Sequence, residues 1–304
     1  MPQGSILGPS LFLMYVNDIP LSLAHSKCIL YADDVKILNR ISCVSDCEDL
    51  QRDLVSFSDW CIKWKLKLNY SKCYFVNFSL KRSLNILFDY SLSNNIIVRV
   101  SEIKDLGVTF SSNLSFSSHI NIIVKKALRM LGFVKRTMQQ VNDVGVFKIL
   151  YNSYVRSGLD YCSQVWSPSA KVYIDKVERV QKRFVKLLCI KCYKNYDSER
   201  YSDLCDFFGL TTLQHRRKLS DLLLYHKILH GKVNSFCLVS AVFLHVPSRR
   251  TRQTVTFSTV KRRLLLSKNS YFPRCVTLAN SVTSIDLFND DFLFLKRTLP
   301  SIDF

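Results

Sequence analysis

Two adjacent carboxylates stand at the centre of the stretch Cys28-Ile29-Leu30-Tyr31-Ala32-Asp33-Asp34-Val35-Lys36-Ile37-Leu38. Short apolar runs on both sides predict a β-hairpin with the acidic pair at its tip. Neighbouring carboxylates repel each other, and a divalent cation bound to them would relieve that repulsion. Asp also favours turns for local hydrogen-bonding reasons, so a solvated turn fits the same residues. The stretch alone leaves both interpretations open.

A second motif, Pro2-Gln3-Gly4-Ser5-Ile6-Leu7-Gly8-Pro9, precedes the predicted hairpin. Gly4 has no side chain, so a sugar or a base could approach its backbone, and Gln3 offers both a donor and an acceptor. Ser5 is a candidate N-cap for a helix. Apolar residues then recur at helical spacing: Leu7, Leu11, Phe12, Tyr15, Val16 and Ile19. An ordinary turn before an amphipathic helix would show the same pattern.

Together the two motifs resemble the palm of reverse transcriptases, in particular those of jockey-like non-LTR retrotransposons. Residues 2–5 and 31–34 match the family's motifs residue for residue and in the family's order. The resemblance implies RNA-directed DNA polymerase chemistry, in which Asp33 and Asp34 are catalytic residues that bind Mg²⁺. It further implies that the nucleotide or template site, with a dNTP as substrate, includes Gln3, Gly4, Ser5 and Tyr31.

The next segment predicts a helix and two strands. Ser45-Asp46-Cys47-Glu48 is a capping-box pattern, and apolar residues then recur at steps of three and four from Leu50 to Trp64. Leu66-Lys67-Leu68-Asn69 and Cys73-Tyr74-Phe75-Val76 are predicted strands around a turn. The resemblance implies that Lys72 lies near the phosphates of the nucleotide. A solvated surface lysine is the alternative in so basic a chain.

A second hairpin is predicted from Ile96-Ile97-Val98-Arg99-Val100 and Leu106-Gly107-Val108-Thr109-Phe110. Within it, Leu106 and Gly107 resemble the turn that the family uses as primer grip, where the backbone positions the primer end. The match is short, and it rests on the resemblance rather than on the spacing of the residues.

Composition favours a globular protein with a polyanionic partner. Hydrophobic residues make up 48% of the 304, and the formal net charge is +19. The resemblance implies RNA template and DNA primer, or an RNA–DNA hybrid, as that partner. No apolar run reaches the roughly 18–20 residues of a spanning helix, so we expect no membrane segment.

Eleven cysteines lie scattered through the predicted helices and strands, and their odd number favours reduced thiols and an intracellular location. Cys189 and Cys192 have the spacing of half a zinc site, but Cys189 also fits the apolar face of a helix. Zinc binding is therefore the alternative to a buried position on a helix.

From about His119 the pattern is helical. Apolar stripes with basic residues between them predict helices around Ile120–Leu131, Val146–Tyr151, Ile174–Leu188 and Leu219–Leu229. Their basic faces suit either the backbone of a primer–template duplex or plain solvation.

The C-terminal part differs again. Ser248-Arg249-Arg250-Thr251-Arg252 and Lys261-Arg262-Arg263 flank a predicted strand, Val255-Thr256-Phe257. The arginine clusters suit nucleic-acid contact or a nuclear localisation signal, and both remain open. Asn269-Ser270-Tyr271-Phe272-Pro273-Arg274 resembles a recurrent segment near the end of these polymerases.

These patterns predict an α+β fold with three parts: a partial palm with antiparallel hairpins over residues 1–112, a helical thumb or connection over 113–235, and a small basic C-terminal region over 236–304. In the family, a further catalytic Asp precedes the Pro-Gln-Gly motif, whereas here Met1 stands directly before Pro2. We therefore expect the chain to be inactive alone, with Mg²⁺ bound at an incomplete site. A non-catalytic RNA- or DNA-binding module is the alternative, and an open sheet edge predicts self-association.

Overall fold

The computed structural model describes residues 4–79, 86–141, 143–197, 200–245, 256–258, 265–282, 286–288 and 291–298. The chain divides into two compact units, Met1–Ser115 and Phe116–Phe304, called unit 1 and unit 2 below. Unit 1 combines helices with short strands and unit 2 is mainly helical, so the fold is α+β. The assignment of three parts with boundaries at residues 112 and 235 stays a prediction.

The described residues of unit 1 form two longer helices and eight short strands. The elements are α1 (Gly8–Val16), β1 (Lys27–Tyr31), β2 (Asp34–Leu38), α2 (Val44–Lys63), β3 (Tyr74–Phe75), β4 (Ser91–Leu92), β5 (Asn95–Ile96), β6 (Val98–Arg99), β7 (Glu102–Asp105) and β8 (Val108–Ser111). Single 3₁₀ turns follow α1 at Ile19–Ser22 and precede β3 at Tyr70–Lys72. The strands form four two-stranded ladders, of which β3–β6 is parallel and β1–β2, β4–β5 and β7–β8 are antiparallel.

The core of unit 1 forms between α2 and the inner face of the β1–β2 hairpin. Leu54, Phe57 and Cys61 lie on one face of α2 at helical spacing and are buried. Alternate hairpin residues pack against this cluster: Cys28, Leu30, Val35 and Ile37. Because successive strand residues point to opposite faces, residues 27, 29, 31, 34, 36 and 38 share the outer face.

Two predicted helix starts in unit 1 are wrong. Helix α1 begins at Gly8 with Leu7 as its N-cap, so Ser5 does not cap it; Pro9 in the first turn has the fixed φ that suits a helix start. At α2 the capping box uses Cys43 and Asp46 rather than Ser45 and Glu48. The Asp46 carboxylate accepts hydrogen bonds from the backbone N–H groups of Ser42 and Cys43 at 2.6 and 3.0 Å.

The predicted second hairpin is correct in its turn but wrong in its first strand. Glu102–Asp105, not residues 96–100, pairs with Val108–Ser111. Val98–Arg99 pairs instead in parallel with Tyr74–Phe75, a long-range contact that local spacing does not reveal. Residues 66–69 run outside any ladder. The β1–β2 hairpin and helix α2 are confirmed.

Unit 2 is built from eleven helices in its described part, and the four predicted from apolar stripes are present. The helices are α3 (Ser117–Thr137), α4 (Val144–Leu150), α5 (Ser157–Asp160), α6 (Ser163–Trp166), α7 (Lys171–Lys191), α8 (Tyr201–Phe207), α9 (Leu213–Leu229), α10 (Phe236–Val239), α11 (Leu265–Lys268), α12 (Tyr271–Ser281) and α13 (Phe292–Thr298). A π-helical turn, Tyr151–Arg156, joins α4 to α5.

Two contacts organise unit 2. The rings of Tyr151 and Phe184 stack with centroids 3.9 Å apart, which packs the α4–α5 segment against α7. Arg274 of α12 donates from Nε to the buried carboxylate of Asp221 on α9 at 2.7 Å, and it also donates to the backbone oxygen of Gln164. The segment 269–274 that resembles a recurrent family sequence therefore docks on α9.

Several sequence predictions lie outside the described residues. They are Gln3, Val255 and the arginine clusters at 248–252 and 261–263. Phe257 is described and forms an isolated β-bridge with Leu244. In the described part of the chain, no helix combines the length and the apolar character that crossing a membrane requires.

Candidate active site

The acidic pair lies at the tip of the β1–β2 hairpin, as the sequence predicts. Tyr31 pairs with Asp34, so Ala32 and Asp33 form a two-residue turn. Ala32 has φ of +51°, a left-handed conformation that costs a non-glycine residue about 1 kcal/mol. Asp33 and Asp34 are exposed, and within the described residues neither carboxylate takes part in a hydrogen bond or an ion pair. Both are therefore available to a cation.

The entry to the hairpin is fixed by Asp53, a carboxylate on α2 that is 2% exposed. Its two oxygens accept hydrogen bonds from the backbone N–H groups of Ala24 and His25 at 2.8 and 3.0 Å, just before β1 begins. Burial raises the pKa of the Asp53 carboxyl, but the hydrogen bonds outweigh that effect and hold the pKa below its ordinary value of 3.8. Helix α2 thus positions the chain that carries the acidic pair.

An ion pair links the acidic hairpin to the second hairpin. Lys36, on the outer face of β2 with Asp34, lies 2.7 Å from the carboxylate of Asp105 at the end of β7. Asp105 is the residue directly before the Leu106–Gly107 turn. The two hairpins that carry the predicted catalytic turn and the predicted primer-grip turn are therefore joined by one contact.

The Leu106–Gly107 turn has left-handed backbone at both positions, with φ of +43° and +87°. This is the turn geometry whose twist matches a two-residue hairpin, and glycine adopts it without strain. The turn presents backbone on the same part of unit 1 as the ion pair, while Leu106 itself is 41% exposed.

The other predicted site residues stand apart from this contact. Gly4 has φ of +87° and open space where a Cβ would lie, and Ser5 is exposed beside it. Tyr31 is 61% exposed on the outer face of β1. Lys72 is exposed at the end of a 3₁₀ turn. In the part of the chain that the structure covers, no hydrogen bond or ion pair joins Gly4, Ser5 or Lys72 to the hairpin.

Unit 2 presents a basic groove between α3 and α7. The Lys176 ammonium contacts the Asn121 side chain, and the Lys191 ammonium donates to the backbone oxygen of Met138 at 2.9 Å. The two helices therefore run side by side in the same direction. From the Asn121–Lys176 contact, exposed basic residues follow at helical steps: Lys125, Arg129 and Arg136 on α3, and Arg179 and Arg183 on α7.

None of those five basic residues forms an ion pair within the described chain. Their charges consequently lie without an ion-pair partner along two neighbouring helices, an arrangement that sequence periodicity alone does not reveal. We call these five residues and Lys176 the basic groove.

Comparison with known proteins shows what the chain is similar to. Residues 1–134 match the model of the family described as reverse transcriptase (RNA-dependent DNA polymerase). The chain is 26% identical over 200 residues to the RNA-directed DNA polymerase from mobile element jockey of Drosophila funebris. That alignment covers 61% of this chain and 21% of the relative.

Two further relatives show the same similarity. The probable RNA-directed DNA polymerase from transposon X-element of Drosophila melanogaster is 27% identical over 195 residues, covering 62% of this chain and 21% of the relative. An uncharacterized protein of Caenorhabditis elegans is 29% identical over 136 residues, covering 45% of this chain and 67% of that protein. No solved structure matches the chain.

The match to the family model covers residues 1–134, less than half of the chain. That match and the named relatives support a jockey-like reverse transcriptase of the non-LTR retrotransposon kind, so the resemblance read from residues 2–5 and 31–34 is confirmed. Because 61% of the chain aligns with the jockey polymerase, the similarity extends beyond unit 1 into unit 2. The chain spans about a fifth of the length of the jockey and X-element polymerases.

Asp53 and Lys36 are the positioning residues that sequence reasoning missed. The sequence does point to Asp53, because a carboxylate within the apolar stripe of α2 requires hydrogen-bond donors when it is buried. The sequence gives no indication of the role of Lys36, since a lysine that alternates with apolar residues on a strand is an ordinary solvent-facing residue.

We expect Asp53→Asn to destabilise unit 1 by about 2 kcal/mol at neutral pH, since hydrogen bonds to a buried charged acceptor are worth about 1.5–3 kcal/mol. Because the folded pKa of Asp53 is lowered, its stabilising effect is present above the ordinary value of 3.8 and is lost as the pH falls below it. The difference between wild type and variant should therefore shrink in acid. Urea unfolding followed by circular dichroism at several pH values measures it.

Asp59→Asn, an exposed position on the same helix, is the matched control and should change stability little at any pH. A penalty for Asp53→Asn that stays equally large in acid would assign the cost to packing and contradict the role of the carboxylate.

Proposed function

We propose that the chain supplies the metal-binding part of an RNA-directed DNA polymerase, with unit 1 acting as part of a palm and unit 2 as the thumb and following region. The observation that carries the proposal is the exposed Asp33–Asp34 pair at the hairpin tip, joined through Lys36 and Asp105 to the Leu106–Gly107 turn. RNA-directed DNA polymerase activity appears in the names of much longer relatives, and for this chain it is a proposal.

The acidic pair fits Mg²⁺ by its chemistry. Mg²⁺ prefers oxygen ligands, takes one or two carboxylates, and keeps waters and substrate phosphates in its remaining positions. Asp33 and Asp34 are exposed, so that waters and phosphates could reach them. Among the described residues no third His, Cys, Asp or Glu completes a group around them. Bound Mg²⁺ would polarise the phosphoryl oxygen and lower the pKa of the attacking hydroxyl.

Each predicted site residue has a proposed task in that reaction. Asp33 holds the metal ion, and Asp34 is a weaker second carboxylate near the primer 3′ end. The backbone of Leu106 and Gly107 positions the primer, while the ion pair of Lys36 holds that turn in place. The nucleotide and template are contacted by Gln3, Gly4, Ser5, Tyr31 and Lys72.

A chimera tests the proposal. We expect the jockey polymerase of Drosophila funebris to retain RNA-templated primer extension when residues 1–134 replace its matching stretch. Asp33→Asn in the chimera should lower extension about a thousandfold, since a catalytic metal contributes several kcal/mol to the transition state. Independently of activity, Asp33→Asn in the 304-residue chain should weaken Mn²⁺ binding, measured by electron paramagnetic resonance.

Asp59→Asn serves as the control in both measurements, because Asp59 is an exposed carboxylate on α2 away from the hairpin tip. Unchanged extension and unchanged Mn²⁺ binding in Asp33→Asn would refute the assignment of the hairpin tip as the metal site.

We further propose that the basic groove binds the backbone of a primer–template or RNA–DNA hybrid. Neutralising phosphates releases counterions, so affinity should fall with salt at a log–log slope of about −0.7 to −0.9 per phosphate contacted. The groove is lined by arginines that no carboxylate of the described chain neutralises. This supports a nucleic-acid partner by charge complementarity.

Replacing groove arginines should reduce that slope. We expect Arg179→Gln and Arg183→Gln each to lower its magnitude by about 0.7–0.9, because each removes one phosphate contact. Fluorescence anisotropy of a labelled hybrid duplex over a salt series measures it. Arg297→Gln on α13, also exposed, is the matched control, and an equal effect there would indicate diffuse charge rather than a groove.

A second copy of the chain is the proposed partner of the hairpin's open strand edges. Ile29 and Leu38 on its outer face are 49% and 46% exposed, and in the described chain β1 and β2 pair only with each other. Strand edges of this kind recruit further strands.

Light scattering over a concentration series should therefore show association that Ile29→Lys reduces. Ile62→Lys, at a 68% exposed site on α2, should leave the association unchanged. A monomer at every concentration would disprove the contact.

A further inference from the structure

The chain that leaves α2 forms an exposed ribbon, defined as residues 63–74, with the sequence Lys-Trp-Lys-Leu-Lys-Leu-Asn-Tyr-Ser-Lys-Cys-Tyr. Leu66, Leu68 and Cys73 pack into the core of unit 1. All the other residues of the ribbon are exposed. The alternation therefore separates the ribbon into an apolar side, which anchors it, and a solvent side that carries lysines and aromatic rings.

Three aromatic rings lie on the solvent side. Trp64, Tyr70 and Tyr74 are 43%, 40% and 47% exposed. Trp64 is held in place by edge contacts to Tyr15, with centroids 6.0 Å apart, and by Trp60 at 6.2 Å. The Tyr74 hydroxyl donates to the backbone oxygen of Ser71 at 2.8 Å. Rings that are held yet exposed lose little conformational freedom when a flat ligand stacks on them.

The charge of the ribbon is entirely positive. Residues 60–88 contain no Asp or Glu. Lys63, Lys65 and Lys67 are exposed and form no ion pair in the described part of the chain. The Lys63 ammonium lies 5.9 Å from the centre of the Trp64 ring, so a charge and a stacking surface are adjacent.

From this arrangement we propose that the ribbon binds single-stranded RNA. Bases stack on Trp64, Tyr70 and Tyr74, and the lysines at 63, 65 and 67 contact the phosphates. A duplex fits less well, because its bases are stacked on each other and cannot reach protein rings. The site deepens the proposed polymerase function and rests on it, because Lys72 lies within the ribbon and is itself a proposed contact of the nucleotide and template. The ribbon uses neither the Asp33–Asp34 pair nor the basic groove, so its binding is measured independently of both.

Tryptophan fluorescence tests the proposal directly. Trp60 is 8% and Trp166 1% exposed, which leaves Trp64 as the tryptophan that a base can reach. We expect a single-stranded oligouridylate of about 12 nucleotides, within the usual site sizes, to quench the fluorescence of the full chain. Trp64→Phe should abolish the quenching while anisotropy still reports binding.

Ring and charge variants separate stacking from structure. Tyr70→Leu and Tyr74→Leu should each weaken the quenching titration about tenfold, whereas Tyr70→Phe and Tyr74→Phe should restore it because the ring remains. Lys65→Gln and Lys67→Gln should each lower the salt slope by about 0.7, the value for one phosphate of a single strand. Tyr154→Leu and Lys104→Gln are exposed controls outside the ribbon and should have no effect.

Three outcomes would overturn the proposal. In the first, the oligonucleotide binds without quenching Trp64, which places its binding site away from the ribbon. In the second, leucine and phenylalanine variants weaken binding equally, which assigns the tyrosines to structure. In the third, anionic phospholipid vesicles shift the Trp64 emission while the oligonucleotide has no effect, which assigns the ribbon to a membrane surface.

Discussion

The position of the acidic hairpin depends on the buried Asp53 carboxylate. The Asp53 carboxylate accepts hydrogen bonds from two backbone N–H groups just before β1, those of Ala24 and His25. Because Asp53 belongs to α2, whose apolar face forms the core of unit 1, the helix and the hairpin cannot move independently. The buried Asp53 carboxylate thereby holds the start of the hairpin that carries the exposed Asp33–Asp34 pair.

That division of roles follows from strand alternation. The residues that face the core are apolar and give the hairpin its stability, which leaves the outer face free to carry Asp34 and Lys36. The turn does not stabilise itself, since Ala32 adopts a left-handed conformation that alanine disfavours. The acidic pair is held in place by the apolar packing of the hairpin and by the Lys36–Asp105 ion pair. The backbone preference of Ala32 alone would not favour this turn.

The sequence was informative where structure is local. Tyr31 to Asp34 predicted the hairpin, and apolar stripes predicted α2, α3, α7 and α9 because helical periodicity does not depend on distant residues. It failed where contacts join distant segments. The parallel pairing of β3 with β6, the capture of Ala24 and His25 by Asp53, and the Lys36–Asp105 contact each involve partners that no spacing rule connects. Ser5 was misplaced because Pro9 sets the start of α1 without any side-chain cap.

The two proposed nucleic-acid surfaces differ in the form of nucleic acid that their chemistry can recognise. Along the basic groove, guanidinium and ammonium groups recur at helical steps on two neighbouring helices, which suits the phosphate backbone of a duplex whose bases are already stacked. The ribbon offers rings between its lysines, which suits bases that are not yet paired. A polymerase that copies RNA meets both forms, single-stranded template before synthesis and hybrid duplex after it. Phosphate charge attracts single strands and duplexes alike, so charge alone cannot distinguish them. On the two proposed surfaces, the distinction would come from the rings of the ribbon, on which only unpaired bases can stack.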